Sequence, residues 1–218
     1  NLACALNIAL FYAKGDFIAR LDSDDIIRKK RISKQVDFLK YNNEYHIIGT
    51  NALRFKKNII FPKPFLIYYD DFDLKLSMLF QSPFIHPSVM IRKSFLLENN
   101  ILYNEEYNEC EDYELWSNIT KKTKFKNLKY FGLFYRVHSE SVSIKKRSIL
   151  DDYFVKINDK VLEFYEIHLS DVQKYFHRKI ANLNIQASDN FIDLNKNILE
   201  IFLIIQKAFN VKKYPDKK

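Results

Sequence analysis

Apolar residues recur at helical spacing at the start of the chain: Leu2, Leu6, Ala9, Leu10 and Ala13 share one face, and Gly15 ends the run. The pattern then switches. Phe17–Leu21 reads as a short apolar strand that delivers Asp22, Asp24 and Asp25 into the loop at its C-terminal end. Arg28–Tyr41 returns to helical spacing, with Ile32, Val36, Phe38 and Leu39 facing inward and Asn42-Asn43 closing the helix. His46–Asn51 predicts another strand, while Pro62, Pro64 and Asp70-Asp71 mark an irregular or hairpin region. Leu74–Phe80 reads as a helix, Pro83–Pro87 as a loop, Ser88–Ile91 as a strand, and Phe125–Tyr135 as alternating short strands. From Leu150 the texture changes to amphipathic helical segments near 151–166, 170–187 and 190–209.

Strands separated by helices predict an α/β fold of the Rossmann-like, nucleotide-binding kind over residues 1–148, followed by a C-terminal helical appendage over 149–218. Such a domain ordinarily opens with an apolar strand and a βαβ crossover, yet the first element here is a helix. The expectation is that about 60 residues, roughly two βαβ-type units, precede Asn1 in the full protein.

Composition narrows the chemistry. With only three Gly in 218 residues, glycine-rich phosphate loops are absent, so phosphate binding has to rely on a metal and basic side chains. Cys4 and Cys110 make neither a disulfide framework nor a metal cluster, which fits a reducing compartment. The most apolar stretch, Ile198–Phe209, is interrupted by Glu200, Gln206 and Lys207 and is no membrane span. The net charge of +8 is concentrated in residues 1–150, which carry 24 Lys+Arg against 17 Asp+Glu. Runs such as Arg28-Lys29-Lys30-Arg31 are either solvated faces or attractors for phosphate or an anionic membrane. No nucleic-acid-binding module accompanies them, so nucleic acid is not an expected partner.

Two acidic clusters carry the candidate chemistry. Asp22 and Asp24, one residue apart at a strand end, can share a divalent cation, and an all-oxygen site suits Mg²⁺ or Mn²⁺ holding a diphosphate. Alternatively Asp24 or Asp25 merely caps the following helix. A calcium loop of the EF-hand type is excluded, because Ile26, Ile27 and Ser33 occupy positions that demand an oxygen ligand, Gly and Glu. The second cluster, Glu109-Cys110-Glu111-Asp112-Tyr113-Glu114-Leu115-Trp116, offers a general base beside aromatics.

These segments, in this order, resemble the family 2 glycosyltransferases of the GT-A fold, a bacterial group that builds surface polysaccharides. The resemblance runs from Asn1 to about Ser143. It rests on Leu2–Asn7 with Ala13–Ala19, on Asp22-Ser23-Asp24-Asp25 followed by Arg31–Gln35, and on His86-Pro87-Ser88-Val89-Met90-Ile91-Arg92. Glu111-Asp112-Tyr113-Glu114-Leu115-Trp116 matches the family's E-D-x-x-L-W box, and Tyr135-Arg136-Val137-His138 with Ser141-Val142-Ser143 resembles its closing segment. The order implies a metal-dependent, inverting hexosyltransferase. Asp112 would be the general base, with Glu111 orienting it or the acceptor. Asp22 and Asp24 would hold Mn²⁺ or Mg²⁺ and the donor, with Asp25 and Arg136 nearby. His138 is either a third metal ligand or an ordinary histidine. Arg136 pairs with the diphosphate or with Glu111. His86 and Trp116 lie on the acceptor side, Trp116 as a sugar-stacking platform or as core.

The implied partners are a nucleotide-sugar donor, most often a UDP-sugar in the family, and a glycan or lipid-linked acceptor. The implied location is cytoplasmic, and the helical face of Leu194, Ile198, Ile201, Phe202 and Ile205 is either core packing or a peripheral contact at the inner face of the membrane. The family's opening strand and its base-recognising Asp are missing from this sequence, and Lys29 stands where the exit helix usually has Pro. A non-catalytic nucleotide- or glycan-binding remnant is the alternative.

Overall fold

The structure, a computed structural model, describes residues 1–56, 63–65, 67–137, 147–181 and 191–209. Helix α1 (Leu2–Tyr12) is capped by the Asn1 side chain, which accepts from the Cys4 N–H. Then come β1 (Phe17–Ala19), β2 (Ile26–Ile27), α2 (Arg31–Tyr41), β3 (Tyr45–Phe55), β4 (Lys63–Pro64) and α3 (Asp71–Ser77). A 3-10 turn at His86–Ser88 leads into β5 (Met90–Arg92), α4 (Lys93–Glu98), α5 (Glu111–Ile119) and β6 (Lys124–Arg136).

The strands form one mixed sheet in the order β1-β5-β3-β6-β2, with β4 on β3. Its centre is the long parallel pair β3 and β6; β1 with β5, β5 with β3, and β2 with β6 are antiparallel. A central parallel pair is covered on both faces, which explains why Ile47, Ile48, Ala52, Phe125 and Leu133 are all buried. Gly132 sits where a Cβ would lie 2.1 Å from Thr50 Oγ1, so only glycine lets these strands approach as they do.

Several sequence expectations are corrected. Phe125–Tyr135 is one strand rather than several short ones, because β3 pairs with it along its length, with register shifts near Tyr45–Ile47 and Thr50–Ala52. Helix α2 begins at Arg31, not Arg28. Ile26 and Ile27 are drawn into the sheet by Phe134 and Leu133, and Lys30 turns left-handed (φ 68°) before the helix starts. Ile32 is 42% exposed, and Arg31 and Gln35 take the inner face instead. Their polar heads find acceptors there: Arg31 Nη2 donates to the Arg20 carbonyl at 2.8 Å, and Gln35 Nε2 to the Ser88 carbonyl at 2.9 Å. Helix α4 has no counterpart among the sequence expectations, and the helix expected at Leu74–Phe80 lies earlier, at Asp71–Ser77.

By contact the chain divides into two compact units, residues 1–78 with 82–154, and 79–81 with 155–218. The second contains the later part of α6 (Arg147–Phe164), with α7 (Asp171–Ala181) and α8 (Phe191–Ala208). Within it the Arg178 guanidinium pairs with Asp159 at 3.0 Å, Gln173 donates to Glu200 at 3.0 Å, and the rings of Phe80 and His177 lie 5.0 Å apart. Burial pushes His177 down to about 4, so it packs as a neutral ring.

Candidate active site

The first acidic cluster lies on the segment that joins β1 to β2, the two outermost strands of the sheet order. That segment is fixed at both ends. The Arg20 N–H donates to the Val89 carbonyl at 3.0 Å, and the Asp25 N–H donates back to the Asp22 carbonyl at 3.2 Å. Arg136, at the end of β6, donates its backbone N–H to Asp25 Oδ1 and its Nε–H to the Asp24 carbonyl, both at 2.8 Å. Arg136 therefore clamps the loop rather than merely standing beside it. Asp22 is paired with Arg20 at 2.5 Å. Asp25 is no cap for α2, whose N-cap is Lys30. Burial pushes its carboxyl up to about 6, the charges of Asp22 and Asp24 add to this, and the Arg136 N–H opposes it.

Carboxylates crowded on one turn favour a hard cation. Asp25 Oδ2 is buried without a hydrogen-bond partner, the kind of orphan oxygen that a cation or its ligands relieve. Among the described residues no group of three or more His, Cys, Asp and Glu side chains could hold a metal alone. The oxygen chemistry of this turn is of the kind that suits Mn²⁺ or Mg²⁺, and Asp22 and Asp24 are the residues that could hold one. His138 lies outside the described residues, as do Ser141-Val142-Ser143.

The second cluster is built differently. Glu111 and Asp112 occupy the first turn of α5, where the helix dipole favours negative charge. Glu111 is 3% exposed; burial pushes it up to about 7, and the Asp112 charge adds to this. Asp112 is likewise raised by burial, opposed by hydrogen bonds, among them Ser82 Oγ donating to Oδ2 at 3.1 Å. His86 Nε2 meets the Tyr103 hydroxyl at 3.1 Å and its Nδ1 lies 3.8 Å from Glu111 Oε1. Burial holds His86 well below its ordinary value, so it is a neutral hydrogen-bonding ring.

Trp116 is a correction. It is 0% exposed, with its ring edge-on to Phe84 at 5.4 Å and to His86 at 6.0 Å. Helix α5 is buried on nearly every side, so this side chain packs the wall behind His86 and has no free face for a sugar.

Arg20 links the clusters. Its charge lowers Asp25 on one side and Glu111 and Asp112 on the other. Arg20 is itself paired with Asp22, and its charge is felt by Asp25, Glu111, Asp112 and His86. Sequence reasoning missed three members of this set: Arg20, Ser82 and Tyr103. Only Arg20 carried a usable signal, since it immediately precedes the acidic loop at the strand's end.

Comparisons with known proteins bear on the family and the fold. Residues 1–101 match the family model described as Glycosyl transferase family 2. A curated relative from Escherichia coli, the UDP-Glc:alpha-D-GlcNAc-diphosphoundecaprenol beta-1,3-glucosyltransferase WfaP, is 26% identical over 190 residues, covering 79% of this chain and 69% of that protein. The crystal structure of S. aureus TarS 1–349 in complex with UDP-GlcNAc superposes with a TM-score of 0.55 at 14% identity, over 94% of this chain and 62% of that one. The mannosyltransferase PcManGT from Pyrobaculum calidifontis, in complex with GDP-Man and Mn²⁺, gives 0.51 at 12% identity, over 99% and 67%. Three further curated glycosyltransferases are matched over 74%, 52% and 55% of their own length.

Proposed function

Since residues 1–101 belong to glycosyl transferase family 2 and the chain has the GT-A fold, we propose that it serves a metal-dependent, inverting transfer of a sugar from a nucleotide-diphospho-sugar to a hydroxyl of a lipid-linked or surface glycan. One observation carries this reading: Asp112, in the first turn of α5, presents a carboxylate that accepts a hydrogen bond from the Ser82 hydroxyl. Asp112 is the general base. It removes the acceptor hydroxyl's proton as that oxygen attacks the anomeric carbon and the diphosphate departs. A buried carboxylate with a raised pKa is a stronger base than an ordinary one, so the desolvation that costs ionisation also aids proton removal. Glu111 and His86 fix the acceptor side. A bound cation offsets charge developing on the leaving diphosphate, and Asp22, Asp24 and the Arg136-clamped loop hold its position.

A UDP-linked donor is favoured by the UDP-Glc used by WfaP and the UDP-GlcNAc bound to TarS, and Mn²⁺ by its presence in the PcManGT complex. A lipid-linked acceptor follows the WfaP precedent, and would bring the protein to the inner face of the membrane. Of the face expected to touch it, Leu194, Ile201 and Ile205 are buried and pack as core, so the surface that helix α8 supplies is instead Leu199, Phe202 and Leu203, each more than half exposed. No described helix is long and apolar enough to cross a membrane. The test is turnover: the 218-residue chain is incubated with UDP- and GDP-sugars, Mn²⁺ and a diphosphate-lipid acceptor. Product with an inverted anomeric centre supports the reading. Donor binding without any transfer favours the non-catalytic remnant.

A further inference from the structure

Residues 79–81 group by contact with the C-terminal helices, although in sequence they interrupt the first unit. They follow the end of α3 as Leu79-Phe80-Gln81, and α7 and α8 grip them. A ring nitrogen of His177, on α7, hydrogen-bonds the Leu79 backbone. The Phe80 ring lies 5.0 Å from the His177 ring and 6.5 Å from that of Phe202, on α8. Leu79 is fully buried. The two flanking residues are held elsewhere, each by a neighbour in the first turn of α5. The Tyr113 hydroxyl donates to the Met78 carbonyl, and the Ser82 hydroxyl donates to Asp112 Oδ2 at 3.1 Å. Ser82 has one proton to give, and its other acceptor, the Phe84 carbonyl, is farther away at 3.5 Å. Three residues reach about 10 Å at full extension, so the link has little slack between its two ends.

Resting on the transferase reading, we propose that Leu79-Phe80-Gln81 is a strap through which the C-terminal helices place the general base, with Phe80 a positioning residue that acts through Ser82 on Asp112. The chain itself carries the coupling: Phe80 is two residues from Ser82, and Ser82 bonds the carboxylate directly. A hydrogen bond to a charged carboxylate is the stronger kind, and this one restrains the rotation of the Asp112 carboxyl group. Proton removal is sensitive to that rotation, because a displacement of about 1 Å at a reacting group costs up to about a hundredfold in rate. A strap that only closed α3 would need the bond from Tyr113 to Met78 and nothing more. The second bond, from Ser82 to the neighbouring residue of the same helix turn, ties the grip of α7 and α8 to the reacting group. The helical region thereby has a part in the chemistry that is separate from any surface it offers a membrane.

The experiment compares wild type, Phe80→Ala, Phe80→Leu, Ser82→Ala and the Phe80→Ala/Ser82→Ala double variant in the 218-residue chain. Steady-state kinetics reads kcat, and calorimetry reads the Kd of the UDP-sugar. The carboxyl ¹³C resonance of Asp112, assigned with Asp112→Asn, reads the carboxylate at constant pH without any turnover. Phe80→Ala and Ser82→Ala each lower kcat by about tenfold at unchanged donor Kd, and both move the Asp112 resonance in the same sense. The double variant is no worse than either single change, because both act on one bond. Phe80→Leu keeps the apolar bulk and restores most of kcat. A Phe80 that only stabilises the fold gives costs that add in the double variant, a lower melting midpoint and an unmoved Asp112 resonance, and that result overturns the proposal. So does normal kcat in Ser82→Ala. If wild type gives no turnover while the resonance still moves non-additively in the folded variants, the transferase reading falls and the coupling of the strap to Asp112 stands.

Discussion

The acidic loop at Asp22–Asp25 and the helix start at Glu111–Asp112 both gather carboxylates, but the two are built in opposite ways. The loop is held from outside, by Arg20 on Asp22 and by Arg136 on Asp24 and Asp25, and it stays partly open to solvent. The helix start is set into the core. Glu111 is almost wholly buried, and the wall behind it is Trp116, His86 and Phe84. Carboxylates on an open loop are placed to receive a cation and to let it go with the product. Carboxylates on a packed helix are placed to stay still and to hold protons tightly. The difference is one of solvent, and it underlies the proposed division into a binding cluster and a proton-transfer cluster.

The sharpest way to break this division is Asp112→Asn. It lowers kcat by about 10³-fold while leaving the donor's Kd nearly unchanged, as measured by steady-state kinetics and calorimetry. An equal loss in donor affinity would move Asp112 to the binding side. Next, Trp116→Ala costs about 3–5 kcal/mol of stability, read as a lower midpoint in urea, because it empties the wall behind His86. A surface platform would lose sugar affinity with little change in midpoint. Third, saturating Mn²⁺ with the matching nucleoside diphosphate raises Tm by about 5 °C in wild type. EDTA or Asp24→Asn abolishes that rise, and a rise that survives both would place binding elsewhere.

Proton linkage sharpens the comparison with a smaller effect. Glu111 is raised from 4.5 to about 7, so below pH 4.5 the folded and unfolded chains both hold its proton. As pH rises from 4.5 towards 7 the unfolded chain releases the proton first, and the folded state loses the corresponding stability. Denaturation midpoints across that window should therefore fall more steeply in wild type than in Glu111→Gln. Identical slopes would mean that Glu111 is not buried as described. The smallest effect is expected far from both clusters: changing Leu199, Phe202 and Leu203 together to Ser reduces flotation with anionic vesicles without altering kcat on a soluble acceptor analogue. Unchanged flotation would remove α8 from the membrane surface.

How much of this was legible beforehand differs by element. The strand before Asp22, the helix before Gly15 and the amphipathic segments after residue 150 follow from local spacing, although the first helix buries only Ala3 and leaves Leu2 of its apolar face 41% exposed. Register and rotation do not follow. Ile32 fits an inward helical position as well as Arg31 does, until the carbonyls of Arg20 and Val89 are in place to satisfy a buried guanidinium. Ile26-Ile27 reads as the lead into a helix until β6 supplies an edge to pair with.

The sequence by itself determined the chemical inventory: two acidic clusters in order, too few glycines for a phosphate loop, and a core large enough to bury an aromatic wall. The tertiary structure alone decided which carboxylate meets which arginine, that Asp25 bonds Arg136 and not the helix, that Trp116 faces inward, and that Ser82 and Tyr103 belong to the site. The physical reason is range. Periodicity and residue type act over a few neighbouring positions, whereas desolvation and Coulomb interactions depend on groups that only folding brings together, such as Arg20 and Asp112, far apart in the chain and joined in one electrostatic environment.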